Sequence, residues 1–286
     1  IKFYDIRRRW AHSIESKSKC LYLAGSEETP IVIDNGRIAQ AAEMEVYITE
    51  IDFEIYQRFY GWSSFEVLEC WISERGMLPL FLRKTLNKHY ITKDTLKRQG
   101  LTDTAEYIIA KQKINSFFGM LITRIELSKI IYDDEWRIEE KELDFQDEIK
   151  SQFLLPQWGI YVTCFGRKSL LNLVADITEV IGDGSGENGA GVIYCDTDSI
   201  KYYDPEHKVP SLVDAYNVKN AKKLEICKLT PEAFSGLGMY DHEKGYPVKR
   251  FKTLGAKRYL IEDNAGNVKA TKLRSEERRV GKECRS

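Results

Sequence analysis

The sequence predicts an α+β fold: an antiparallel sheet with packed helices, into which a helical hairpin is inserted. Three stretches carry that expectation. Residues 31–72 alternate between strand-period and helix-period patterns. Residues 80–119 hold two helical stretches joined by a basic turn. Gly191–Tyr203, GVIYCDTDSIKYY, reads as two short strands meeting at an Asp-Thr-Asp-Ser turn.

The chain has 286 residues, of which 43 are basic and 44 acidic, for a net charge of −1. Its apolar fraction of 43% is that of a soluble globular protein. No apolar run approaches the roughly 18 residues of a membrane span, so no membrane partner is expected. The six cysteines are scattered and include no Cys-x-x-Cys, which argues against a disulfide framework or zinc site. That usage fits a reducing compartment, the cytoplasm. Cys195 reads as a buried structural thiol. Ile1 is preceded by neither Met nor a leader pattern, so the chain is expected to begin in mid-protein. The last thirteen residues, RSEERRVGKECRS (274–286), resemble a translated sequencing adapter and are set aside as non-native.

In chain order, Arg7, Arg8 and Arg9 form a basic run with no assigned role. IVIDNG (31–36) is a strand ending in an Asn-Gly turn, and EVYIT (45–49) alternates as a second strand. Thr49 and Asp52 open a helix as Thr-x-x-Asp, with Ile51, Ile55 and Phe59 at helical spacing. Residues 64–71 read as extended. Residues 80–90 form a helix, and Lys93, Lys97, Arg98 and Gly100 a basic turn. A second helix starts near Thr102, with Ile108 and Phe117 as its anchors. On it Tyr107, Lys111, Asn115 and Phe118 fall along one face. An ammonium, an amide and a ring in a row suit a nucleoside triphosphate, although any amphipathic helix can show them.

Residues 121–157 read as a looser, acidic insert with a hairpin turning at Asp133–Asp134. A long amphipathic helix follows Pro156, with Thr163 and Arg167 on one face and in reach of phosphates. GDGSGENGAG (182–191) lacks the Gly-Lys-Ser/Thr of a phosphate-binding loop and reads as a flexible linker. Residues 208–220 read as loop-rich. Lys249, Arg250, Lys252, Lys257 and Arg258 interleave with Phe251 and Tyr259, a pattern that suits a nucleic-acid backbone or an exposed strand. The Asp196-Thr197-Asp198 tip holds two carboxylates on one turn. Such a pair suits divalent-metal chemistry in phosphoryl transfer, with a bland surface turn as the alternative.

Four motifs in order make the sequence similar to family B DNA polymerases, most closely the protein-primed branch of bacteriophages and related mobile elements. Tyr194–Ser199 matches Tyr-x-Asp-Thr-Asp-Ser. Lys111, Asn115, Ser116 and Gly119 match Lys-x-x-x-Asn-Ser-x-Tyr-Gly. Thr163, Gly166 and Arg167 match Thr-x-x-Gly/Ala-Arg, and Lys257 with Tyr259 matches Lys-x-Tyr.

The resemblance implies a palm in two parts (1–72 and 158–260), fingers at 73–120, an insertion at 121–157 that helps enclose DNA, and the start of a thumb at 261–273. It implies DNA-templated transfer of dNMP to a primer 3′-hydroxyl with two Mg2+ ions, or Mn2+ in their place. Primer-template DNA, dNTPs and a terminal priming protein are the implied partners. Asp198 and Asp196 would hold metal. Lys111 would contact the triphosphate and protonate leaving pyrophosphate, with Asn115, Phe118, Lys97 and Arg98 around the nucleotide. Ser116, Gly119, Thr163, Gly166, Arg167, Tyr194, Thr197, Ser199, Lys257 and Tyr259 would contact the primer-template. Phe118 stands where the family has Tyr, Tyr107 where related helices often have Lys, and the family's Asp-x-x-Ser-Leu-Tyr-Pro aspartate is absent. The expectation is therefore a fragment inactive by itself. The alternatives are an Asp-x-Asp glycosyltransferase and a non-catalytic DNA-binding remnant. The former explains the tip but not the Lys111–Asn115 helix.

Overall fold

The computed structural model describes residues 1–74, 76–122, 128–132, 138–142, 144, 155–227, 238–241, 247–255 and 257–271. They form β1 (Lys2–Arg8), β2 (Tyr22–Ala24), β3 (Val32–Asp34), β4 (Arg37–Glu45), α1 (Glu50–Phe59), β5 (Tyr60–Gly61), β6 (Ser64–Glu66), α2 (Leu80–Arg98) and α3 (Ala105–Leu121). There follow β7 (Ser128–Tyr132), β8 (Ile138–Glu142), α4 (Pro156–Ile181), β9 (Gly191–Asp196), β10 (Ser199–Tyr203), α5 (Val209–Cys227), β11 (Arg250–Gly255), β12 (Arg258–Glu262) and β13 (Val268–Thr271). Two units result. One comprises Ile1–Leu68, Arg167–Asn220 and Gly238–Ser286, the other Glu69–Gly166 and Ala221–Leu237.

The first unit is a mixed helix-and-sheet body. Its main sheet runs β2-β4-β1-β5, with β3 paired to β4 and β6 to β1, all antiparallel. Phe3 sits opposite Met44 and Ile6 opposite Ala41, and all four are buried. Asn35 and Gly36, at φ 49° and 76°, make the tight turn that the Asn-Gly pair predicts. Thr49 and Asp52 form a reciprocal capping box at the start of α1, whose Ile51, Ile55, Tyr56 and Phe59 are buried. The same core takes in Leu173, Val174 and Ile177 of α4, Val192 of β9, and Val209 and Val213 of α5.

Tyr60 ties the core to the segment before β2. Its fully buried hydroxyl donates to the Ile38 carbonyl at 2.8 Å and accepts from the Ile14 and Glu15 amides at 3.2 and 3.1 Å. Burial pushes the phenol up to about 12, although the two amides pull the other way. Tyr60→Phe leaves one buried carbonyl and two half-buried amides without this partner, and is expected to lose about 2 kcal/mol in urea titration. In the parent, the stability tied to this hydroxyl is complete below the ordinary tyrosine value near 10. It is lost as pH rises towards about 12. The Phe variant should lack that share of the alkaline loss.

In the second unit α2 packs on α3, and β7 pairs with β8 from Ser128↔Glu142 to Tyr132↔Ile138. The turn expected at Asp133–Asp134 and the 274–286 tail lie outside the described residues.

Several expectations are corrected. The basic run at Arg7–Arg9 overlaps β1, an inner strand, because Phe3 and Ile6 carry its burial. Of the strand expected at 45–49 only Glu45 belongs to a strand, as the last residue of β4; Thr49 is already the N-cap of α1. Of the extended 64–71 stretch, only Ser64–Glu66 pairs. Lys93, Lys97 and Arg98 are not a turn but the last turns of α2, which the Asp94–Arg98 pair (2.9 Å, i,i+4) supports. The helix stops at Gly100, whose φ of 75° suits glycine. The next helix begins at Ala105, not Thr102, because the Thr104 side chain caps it, accepting from the Tyr107 amide. Ile108, expected as an anchor, is 44% exposed; Ala110 and Leu121 are buried instead. Residues 209–220 are helix rather than loop. Val209 and Val213 bury one face one turn apart, and Asp204 Oδ2 accepts from the Val209 amide at 2.8 Å.

The glycine-rich stretch is a hydrogen-bonded corner rather than a plain linker. Asp183 pairs with Gly191, and the Gly184 amide donates to the Ala190 carbonyl at 2.9 Å. The Asp183 carboxylate accepts from Ser185 Oγ and from the Ala11 amide at 2.8 Å. Those bonds, the Ser185 hydroxyl first, hold it down at about 2 against the effect of burial. A Cβ on Gly191 would stand 2.3 Å from the Gly184 nitrogen. Gly191→Ala is therefore expected to cost about 2 kcal/mol and to broaden β9 amide resonances in NMR spectra.

Candidate active site

The β9–β10 register places Ser199 opposite Asp196 and leaves Thr197 and Asp198 as a two-residue turn. Thr197 takes a φ of 55°, unusual for a β-branched residue, and the Asp198 amide donates to the Asp196 carbonyl at 2.6 Å. The Thr197 hydroxyl donates to Asp196 Oδ1 at 3.0 Å and Ser199 Oγ to the Asp196 carbonyl at 3.3 Å. Val192 lies in the core with Ile200 and Tyr202 packed on it. The base of the hairpin is thus fixed, while Thr197 and Asp198 at its tip are exposed. Strand parity puts Cys195 on the outer side with Ile193, so it is exposed rather than the buried thiol expected.

The chain returns to this hairpin some sixty residues later. Lys257 lies between β11 and β12 at a φ of 61°. Its amide donates to the Tyr194 hydroxyl at 2.7 Å, and its ammonium stands 3.8 Å from Asp196 Oδ1. The rings of Tyr194, Phe251 and Tyr259 close a triangle with centroid separations of 5.8, 5.4 and 5.2 Å. Two motifs far apart in sequence, Tyr-x-Asp-Thr-Asp-Ser and Lys-x-Tyr, therefore share one small structure. Nearby, Lys249 and Arg250 are engaged by Glu262 at 2.9 and 3.7 Å, which reduces the positive field that sequence alone assigns to them.

Tyr240, which belongs to none of the motifs, also lies in the field of Asp198. Burial pushes its phenol up, the Ser169 hydroxyl opposes that, and the charges of Tyr216 and Asp198 add to it. Its ring is 5.5 Å from that of Tyr216, whose hydroxyl is 2.9 Å from Ser169 Oγ. Nothing in the local sequence marks this neighbour.

In the second unit Lys111, Asn115, Ser116 and Gly119 are exposed along α3, and Phe118 is half-buried. Lys93 of α2 lies over the Tyr90 ring, 4.8 Å from its centroid. Burial lowers its ammonium below the ordinary lysine value, and the charges of Lys97 and Lys111 lower it further. Three cations from two helices therefore share one field, and Lys93 is the one to which the sequence assigned no site. Arg98 is paired with Asp94.

Of the template motif, Thr163 Oγ1 donates within its own helix to the Gly159 and Ile160 carbonyls at 3.2 and 2.6 Å. At Gly166 an added Cβ would meet nothing within 4 Å. In the first unit, Arg167 grips Asp52. Its Nε and Nη2 donate to Oδ1 at 3.0 and 2.8 Å, and Nη2 to Oδ2 at 2.9 Å. Burial pushes the Asp52 carboxyl up, but the guanidinium's hydrogen bonds and charge outweigh it and hold the group below its ordinary value.

Asp196 and Asp198 supply hard oxygen donors. Among the described residues no group of three or more His, Cys, Asp or Glu side chains converges. Mg2+ is commonly held by one or two carboxylates together with water and substrate phosphate, so the pair fits that ion. No helix among the described residues is long and apolar enough to cross a membrane.

The described unit and hairpin are those of a mixed α and β protein with antiparallel sheets. No family model and no curated protein matches the chain. A solved structure titled "Phi29 DNA Polymerase, orthorhombic crystal form" is similar to it at a TM-score of 0.49 and 17% identity. The match covers 95% of this chain and 40% of that one, so the chain spans less than half the length of that polymerase.

Proposed function

We propose that the chain is part of a DNA-templated DNA polymerase of the family B type, acting by metal-assisted nucleotidyl transfer. The observation that carries the proposal is the junction of Asp196 with Lys257 and of Tyr194 with the Lys257 amide. It supports reading two short motifs as one site, where each alone is weak. Asp198 and Asp196 are the residues that would hold Mg2+, or Mn2+ in its place. When bound, the ions supply activation of an attacking hydroxyl and neutralisation of the leaving oxygen.

The chain's own groups do the rest. Lys111, with Lys97 and Lys93 in the same field and Arg98 close in sequence, neutralises a triphosphate, and Lys111 carries the proton for leaving pyrophosphate. Asn115 and the Phe118 ring border the nucleotide. Ser116, Gly119, Thr163, Gly166 and Arg167 face template, and Lys257 and Tyr259 the primer end. Tyr194, Thr197 and Ser199 shape the tip against the primer-template. A terminal protein or a nucleic acid supplies the primer hydroxyl.

The test is primer extension by the full polymerase of which this chain is proposed to be part, with Mg2+, dNTPs and primer-template. Template-directed products are expected. Transfer from a sugar nucleotide with no extension would overturn the proposal.

A further inference from the structure

Lys257 is held at both ends by the hairpin it faces. Its backbone adopts the left-handed region, which a side chain with a Cβ enters only under constraint. The constraint in view is the 2.7 Å hydrogen bond from its amide to the Tyr194 hydroxyl. The Tyr194 ring is itself fixed between Phe251 and Tyr259. From that backbone position the ammonium reaches Asp196 Oδ1 at 3.8 Å, on a carboxylate whose side chain is 30% exposed. Asp196 thus carries a cation of the protein's own where a divalent ion would sit.

We infer that Tyr194 is the positioning residue of this tip. Acting through Lys257, it sets how tightly Asp196 and Asp198 hold a divalent cation. Without its hydroxyl the Lys257 backbone relaxes, the ammonium leaves Asp196, and the second carboxylate opens fully to the ion. The phenol also interacts with the Asp196 carboxylate directly, and the Lys257→Met background separates that contact from the path through Lys257. The inference rests on reading the tip as a divalent-ion site.

The experiment is Mn2+ titration of the full 286-residue chain, followed by electron paramagnetic resonance. Asp198→Asn defines which binding belongs to the tip. Tyr194→Phe keeps the ring and its packing and removes only the hydroxyl. It is expected to tighten Asp198-dependent Mn2+ binding about two- to fivefold, the worth of a half-exposed ion pair. Lys257→Met should do the same, and the double variant should bind no more tightly than Lys257→Met alone. A structural effect of the hydroxyl would instead add to that of Lys257→Met. Unchanged affinity in Tyr194→Phe, or an equal change with Met already at 257, overturns the inference while the ion site stands. Absence of any Asp198-dependent binding in the parent overturns the ion site and the inference with it.

Discussion

Asp198→Ala in the full polymerase proposed above is expected to reduce Mg2+-dependent primer extension by roughly 10³-fold or more. That is the loss of several kcal/mol of transition-state charge stabilisation. Asp198 is exposed at a turn whose backbone is fixed by the β9–β10 ladder, so its removal leaves packing alone. Urea stability should stay within about 0.5 kcal/mol of the parent. Asp196 shares Oδ1 with Thr197 and stands near Lys257, so Asp196→Asn should fall less steeply. Equal loss of activity and of stability in Asp198→Ala would mean that the turn is structural.

Arg167→Met is expected to destabilise the first unit by about 2 kcal/mol. The Asp52 side chain is 11% exposed and Arg167 43% exposed, so breaking the pair strands a buried carboxylate while solvent would have covered the lost cation. The same carboxylate closes the α1 capping box, so the damage falls on a helix start as well. The pH dependence separates this from simple loss of packing. In the parent, Asp52 sits below its ordinary value. Its contribution is therefore complete above the ordinary carboxylate range near 4, and is lost as pH falls through the lowered value. In Arg167→Met burial, which raises the group, is opposed only by the Thr49 hydrogen bonds of the capping box. Its contribution then shrinks, and the stability difference between the two proteins should narrow as pH falls from 7 towards 4. Urea titrations of both proteins across that range give the sign directly.

Local chemistry was legible in the sequence where a few adjacent residues decide the structure. Thr49 with Asp52, Asn35 with Gly36, and Asp-Thr-Asp-Ser each specify their turn or cap without help from elsewhere. Residues 209–220 misled because Pro210, Ser211, Asp214, Asn217 and Asn220 are loop-favouring types, although Val209, Val213 and Tyr216 at i, i+4 and i+7 mark a helix face. The opening strand was hidden by its arginines and by Asp5. Asp5 leaves the ladder at a φ of 52° between paired Tyr4 and Ile6. What no local pattern could give are the long-range pairs. Arg167 meets Asp52 across 115 positions, and Lys257 meets Tyr194 across 63. The first gives a residue that the family resemblance assigns to template a partner within the fold. The second turns two motifs into one site.

The most direct measurement is an anomalous-difference map from crystals of this chain soaked in Mn2+ with a dNTP. The account predicts a peak about 2.1 Å from an Asp198 carboxylate oxygen, the usual distance for a hard divalent ion. Peaks confined to other carboxylates, with the Asp196–Asp198 turn bare at saturating Mn2+, would contradict it.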